Sequence, residues 1–272
     1  MCLIVTKPKG MPLPSRKRLR KWFNAYPDGF GMAFQYQDKV RILKGAMTIS
    51  EMCQLIAQMK RELGETKIED IDIVIQYRVA FTGSVVPKYC HPFPITASQE
   101  ELDGLDVTTD IALAHNGVIW EYNQMQYNYQ TDINDAQEFI KDFLVDMGVA
   151  VLNPSVQRLI EEYTYSKFAL LTNADIVYIG EFIKDSGYYY SNGGYMAPKG
   201  LSTKAASTVT SWRASDYTNI PSSYGTGGGI VCEFCQTPSL DAYEMPNDGS
   251  LLCAACFVQF EGRMPAEEER YY

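Results

Sequence analysis

The chain has 272 residues, 46% of them hydrophobic, which allows one large domain with a small appendage or two modest domains. Its net charge, 24 − 33 = −9, argues against a general coat for nucleic acid. No stretch approaches the ~20 apolar residues of a membrane-spanning helix, and the apolar run Cys2 to Val5 is too short, and wrongly placed ahead of the basic segment, for a signal peptide.

Charge is unevenly spread. Residues 1–21 hold seven Lys/Arg and no acid, whereas residues 230–272 hold eight acids against Arg263 and Arg270. Four of the seven cysteines lie in CxxC pairs, which fits a reducing compartment and a metal site better than a disulfide framework. The expectation is a cytoplasmic protein with no membrane segment.

The elements read as follows in chain order. Cys2–Thr6 is a short apolar strand, and Ser15 caps a basic helix running to about Asn24. Phe30–Tyr36 and Val40–Leu43 form an antiparallel pair. Ile49–Leu63 is an amphipathic helix. Thr48 and Glu51 make its capping box, Met52, Leu55, Ile56, Met59 and Leu63 its apolar stripe, and Gly64 its stop. Strands are predicted at Ile71–Ala80 and Thr109–His115, then a helix over Asn134–Met147 with Ala136, Phe139, Ile140, Phe143, Leu144 and Met147 on one face. A helix near Val156–Tyr163 precedes strands at Phe168–Thr172, Ile176–Phe182 and Tyr188–Tyr190. Grouped strands and helices predict a layered α+β fold over 2–199, not a βαβ repeat. Residues 200–229, rich in Ser, Thr and Gly, read as a linker. Residues 230–260 form a cysteine unit, and 261–272 an acidic tail.

Four segments carry chemistry. Removing Met1 would give Cys2 a thiol and a free α-amine, and an amine of pKa ~7.7–8.0 can serve that thiol as base near neutral pH. Arg78, leaving a strand beside a glycine turn, can present a guanidinium to a carboxylate or form an ordinary surface ion pair. Asn116 and the Gly117 N–H are a ready pair of oxyanion donors, or else a hairpin turn. Asp132 can receive an ammonium, with Asp110 and Asp135 as neighbouring alternatives, or cap the following helix. A Cys90–His91 dyad is a further alternative, disfavoured because neighbours in extended chain point to opposite sides. Cys53 reads as packing.

Together these segments resemble the class II glutamine amidotransferase domain, of the N-terminal-nucleophile hydrolase superfamily. The resemblance covers roughly 2–195. It rests on Met1-Cys2, Tyr26-Pro-Asp-Gly-Phe-Gly-Met-Ala-Phe34, Arg78-Val-Ala-Phe-Thr-Gly-Ser84, Cys90-His-Pro-Phe93, Ala114-His-Asn-Gly-Val118, Thr131-Asp132 and a closing strand at Tyr190-Ser191-Asn192. It implies a four-layer αββα sandwich and release of ammonia from glutamine, or from a γ-glutamyl amide, through a Cys2 thioester. It implies Asn116 and Gly117 as the oxyanion hole, and Arg78, Thr82 and Asp132 as the substrate-binding residues. A separate ammonia-accepting or docking protein is the implied partner. The chain departs from the family at Gln76-Tyr77, where His-Thr is usual, and at Phe81-Thr82, where Thr-His is usual. These departures, with the fused C-terminal cysteine unit, motivate the alternative of an inactive protein that keeps the fold and binds a protein or nucleic-acid-associated partner through that unit, a zinc ribbon.

Cys232, Cys235, Cys253 and Cys256 form two CxxC pairs 17 residues apart, the spacing of a four-thiolate zinc ribbon. Asn247-Asp248-Gly249 supplies a turn between them. Four protein ligands make a closed, structural Zn2+ site. Its acidic flanks and the negative charge of a four-thiolate site disfavour direct nucleic-acid binding.

Overall fold

The computed structural model describes residues 2–80, 84–122 and 133–196, together with four short strands after residue 229. The chain divides into two units, Met1–Met196 and Ala197–Tyr272. No helix among the described residues is long and apolar enough to cross a membrane.

The first unit is a mixed α/β fold built on two antiparallel sheets. Strands β1 (Leu3–Lys7), β2 (Phe30–Tyr36), β3 (Lys39–Ala46), β4 (Ile73–Tyr77), β6 (Asp106–Thr109), β10 (Ile183–Asp185) and β11 (Tyr188–Tyr190) make a seven-stranded sheet. Its order is β10-β11-β1-β4-β2-β3-β6. The second sheet is β5 (Phe93–Pro94), β7 (Ala112–Asn116), β8 (Lys167–Leu171) and β9 (Ile176–Ile179), in that order.

Strand periodicity sorts the core into three layers. On the outer face of the large sheet, Leu3, Val5, Phe30, Met32, Ile73, Ile75 and Tyr77 pack against α1 (Arg16–Ala25) and α2 (Ile49–Leu63). The residues between them in sequence point the other way. Ile4, Ala33 and Val74 meet Ala112, Ala114, Ala169 and Leu171 of the second sheet. Four alanines in this seam keep the sheets close. On the far face, Leu113, Phe168 and Leu170 pack against the helices that follow residue 134. The layers therefore run α, β, β, α. Each large apolar side chain so buried contributes ~1.5–3 kcal/mol.

Helix starts follow side-chain caps. Thr48 and Glu51 of α2 bond each other's backbone N–H reciprocally, as the sequence predicts. Helix α3 (Gln99–Asp103) is short and capped by Ser98. The next helix, α4, runs Asp135–Phe139, widens into a π turn over Ile140–Leu144 and closes over Val145–Met147. Its cap is Asn134, in a reciprocal box with Gln137, so the helix does not depend on Asp132 for capping. Helix α5 spans Pro154–Thr164.

Two predicted strands change. The run at Ile71–Ala80 is paired only over Ile73–Tyr77. Thr109–His115 is two strands, because the chain crosses between sheets there: β6 pairs with β3, and β7 with β8.

In the second unit, β12 (Ile230–Val231) pairs with β13 (Pro238–Ser239), and β14 (Tyr243–Glu244) pairs with β15 (Leu251–Leu252). Strands β12 and β15 lie next to each other.

Candidate active site

Cys2 sits immediately before β1, half-buried, with its Sγ 3.8 Å from the Val79 carbonyl. Strand β1 lies between β4 and β11, pairing Leu3 with Tyr77 and Val5 with Tyr190. The chain just beyond β4 (Arg78, Val79) and just beyond β11 (Ser191, Asn192) therefore flanks the cysteine. Asn192 Nδ2 donates to the Cys2 carbonyl at 2.9 Å, and Asn192 Oδ1 accepts the Gly194 N–H at 2.9 Å. Ser191 is wholly buried; its Oγ accepts the Ile4 N–H at 3.0 Å, and its own N–H donates to the Ile4 carbonyl at 3.1 Å. The start of β1 is thus held on both sides.

Asn116 arrives from the other sheet. It ends β7 and is 5% exposed. Its side-chain nitrogen donates to Ser191 Oγ at 2.9 Å, while Oδ1 is buried with no partner among the described residues. Gly117 follows at φ +153°, and a Cβ there would lie 2.1 Å from Ser166 Oγ. Only glycine fits, and its backbone departs from the strand instead of closing a two-residue hairpin: β8, the neighbour of β7, begins at Lys167. Gln76 of β4 fixes the preceding residue. Its Nε2 donates to the His115 carbonyl at 2.6 Å, and its Oε1 accepts the His115 N–H at 3.0 Å.

Arg78 is 5% exposed, so it forms no surface ion pair. Its backbone is pinned by Gly29 and Asp28, and Asp28 Oδ2 also accepts the Ala80 N–H at 3.0 Å. The guanidinium donates to the Ser84 carbonyl at 3.1 Å and lies 5.8 Å from the Tyr89 ring centroid. No carboxylate among the described residues pairs with it. A buried guanidinium with no anionic partner among the described residues has the chemistry to accept a carboxylate.

Tyr26 is a component that no motif argument assigned. It is 3% exposed, and its hydroxyl lies where a Cβ on Gly194 would stand, 1.7 Å away. Burial, with the nearby Cys2 thiol as a second cause, pushes its pKa up. Tyr26, Gln76 and Asn192 were all visible in the motifs, but as letters without partners.

Cys90 and His91 are unsuited to nucleophilic work. Cys90 is buried, and burial pushes its thiol up to about 11. His91 is held neutral by burial, with the His115, Arg78 and Lys44 charges adding to the effect. A thiolate–imidazolium pair at Cys90–His91 is therefore disfavoured from both sides. Cys53 packs against the outer core, as expected. Asp110 is an exposed partner of Lys39 at 2.5 Å, and Asp135 Oδ2 accepts the Ile119 N–H at 3.0 Å. Of these two, only Asp135 belongs to the neighbourhood of Asn116.

Thr82 and Asp132 lie outside the described residues, as do Cys232, Cys235, Cys253 and Cys256. Among the described residues no group of three or more His, Cys, Asp and Glu side chains could hold a metal. A cavity of about 490 Å3 is lined by Ser84, Val86, Pro87, Lys88, Tyr89, Asp103 and Leu105. It adjoins Ser84, the residue Arg78 holds, but Cys2 and Asn116 do not line it.

The solved structures similar to the chain include these two. One is an allosteric regulatory enzyme of purine biosynthesis, at 14% identity, covering 72% of this chain and 43% of its own, with a TM-score of 0.43. The other is glutamine phosphoribosylpyrophosphate amidotransferase from B. subtilis, at 16% identity, covering 70% and 41%, with a TM-score of 0.41. The chain thus spans about two fifths of the length of either. No protein-family model and no curated protein matches it.

Proposed function

We propose that the chain hydrolyses a glutamine-type amide through Cys2, in the manner of a class II glutamine amidotransferase with an N-terminal-nucleophile fold. The observation that carries this reading is the meeting of Cys2 and Asn116, from two sheets, on the Ser191–Asn192 corner, beside a buried Arg78 that has no carboxylate partner among the described residues.

With Met1 removed, the Cys2 α-amine takes the thiol proton and Sγ attacks the side-chain amide carbon. The C=O pair moves onto oxygen, which Asn116 Nδ2 and the Gly117 N–H stabilise. As the C–N bond breaks, the α-ammonium returns its proton to the leaving nitrogen, so ammonia departs and a thioester remains. Water then adds as the α-amine takes its proton, the C–S bond breaks, the returned proton restores the thiol, and the new γ-carboxyl group leaves as part of glutamate. Arg78 takes the substrate α-carboxylate; Thr82 and Asp132 complete the substrate site, Asp132 on the α-ammonium. The test is ammonia release from glutamine with glutamate as co-product, abolished by Cys2→Ala. Absence of release from the Met1-free protein would overturn the reading.

One observation favours the second reading, an inactive fold that binds a partner. One of the two Asn116 N–H donors is already committed to Ser191, which leaves a single one for an oxyanion.

For the C-terminal unit we propose a structural Zn2+ held by Cys232, Cys235, Cys253 and Cys256. Supporting it, β12 and β15 are neighbours, and each is followed at once by a CxxC pair.

A further inference from the structure

We infer that Ser191 is a positioning residue whose hydroxyl sets which end of the Asn116 amide faces the reaction; the inference rests on the amide-hydrolase reading above. Ser191 Oγ is bonded both to the strand that follows Cys2, through Ile4 N at 3.0 Å, and to the Asn116 side chain at 2.9 Å.

A serine hydroxyl has one proton to give and two lone pairs to receive with. With Asn116 Nδ2 directed at it, both lone pairs are used, and no acceptor for the proton exists among the described residues. At the same time Asn116 Oδ1 is buried with no donor among the described residues. One donor and one acceptor, on neighbouring groups, are both unmatched.

A half-turn of the amide matches both, and moves the vacancy to the two Nδ2 protons, which a ligand can fill. The oxygen and nitrogen of a primary amide are nearly the same size, and only their hydrogen bonds distinguish them. After the half-turn Ser191 still accepts from Ile4 and now donates to Asn116 Oδ1 across the same 2.9 Å. Nδ2 then occupies the unpartnered position. A protein rarely retains a buried donor with no acceptor, unless a ligand supplies one. An oxyanion formed on a carbonyl attacked by Cys2 is such an acceptor. Ser191 thus selects the active orientation of Asn116 while holding the nucleophile strand.

The test compares wild type, Ser191→Ala, Asn116→Ala and the double variant, as full chains, in glutamine hydrolysis with a urea midpoint for each. Ser191→Ala is expected to lower kcat by ~10–100-fold with KM within ~3-fold of wild type, a loss short of or equal to that of an oxyanion donor itself. The same change in the Asn116→Ala background should add less than ~3-fold, because the group it orients is gone. Ser191→Thr, which keeps the hydroxyl, should hold kcat within ~5-fold of wild type. A folded Ser191→Ala with unchanged kcat, or full additivity with Asn116→Ala, overturns the inference and leaves the hydrolase reading standing. If Ser191→Ala does not fold, a folded Ser191→Thr with kcat lowered beyond ~10-fold overturns it instead. A wild type that releases no ammonia overturns both.

Discussion

Gln76 and His115 face each other across the gap between the two sheets and exchange two hydrogen bonds, at 2.6 and 3.0 Å, side chain to backbone. Both residues are buried, so neither bond has water as a substitute. This is a register pin. It fixes the backbone one residue ahead of Asn116 relative to β4, the strand that leads to Arg78.

Gln76→Ala therefore leaves a buried N–H and a buried C=O unmatched, each costing ~1–3 kcal/mol. The expected loss is ~2–5 kcal/mol of unfolding free energy, read from urea denaturation at constant slope. A loss below ~0.5 kcal/mol, the range of an uninvolved surface change, would show that the pin does not hold the sheets.

Much of this was legible in the sequence. The capping box at Thr48 and Glu51 and the stripe of α2 are local patterns, read by spacing alone. The motif residues Cys2, Arg78, Asn116 and Gly117 do stand at strand ends. What escaped was non-local. Ser191 is 75 residues from Asn116 and 187 from Ile4, and its hydroxyl has meaning only once they meet. Gln76 read as a departure because its partner is the backbone of a strand in the other sheet. The break between β6 and β7 is invisible because both strands continue one β-rich run. The π turn in α4 leaves the apolar periodicity of its helix intact.

Gly117→Ala is expected to cost activity before stability. A Cβ there meets Ser166 Oγ at 2.1 Å and Ser166 Cβ at 2.7 Å, so the backbone N–H must move. Displacing one oxyanion donor lowers kcat by ~10²–10³. Steady-state glutamine hydrolysis measures it, and an unchanged kcat would remove Gly117 from the oxyanion site.

Acid should weaken the fold through His91 and His115. Both pKa values are lowered, by burial first. The unfolded chain binds protons at a pKa of ~6.5, and the folded chain only below that. Between the two values the unfolded state holds more protons, so stability is intact above ~6.5 and falls as pH drops, by up to ~1.4 kcal/mol per pH unit for each group. Urea midpoints from pH 7.5 to 5 test this. Replacing both histidines by phenylalanine should flatten the slope, and an unchanged slope would assign the acid lability elsewhere.

The C-terminal unit should carry one zinc ion per chain in elemental analysis of protein purified without chelator. Cys235→Ser and Cys253→Ser should each reduce it, since each removes one of the four thiolates that hold the ion. Full zinc content in both variants would exclude the ribbon, and iron in its place would make the site rubredoxin-like.

The central claim is that Cys2 is a terminal nucleophile in a glutamine-shaped site. Its most direct measurement is the intact mass of native protein after treatment with a glutamine-mimicking diazo-ketone label. The account predicts loss of Met1 and a single adduct, with no adduct on Cys2→Ala. Retained Met1 and an unlabelled protein would contradict it.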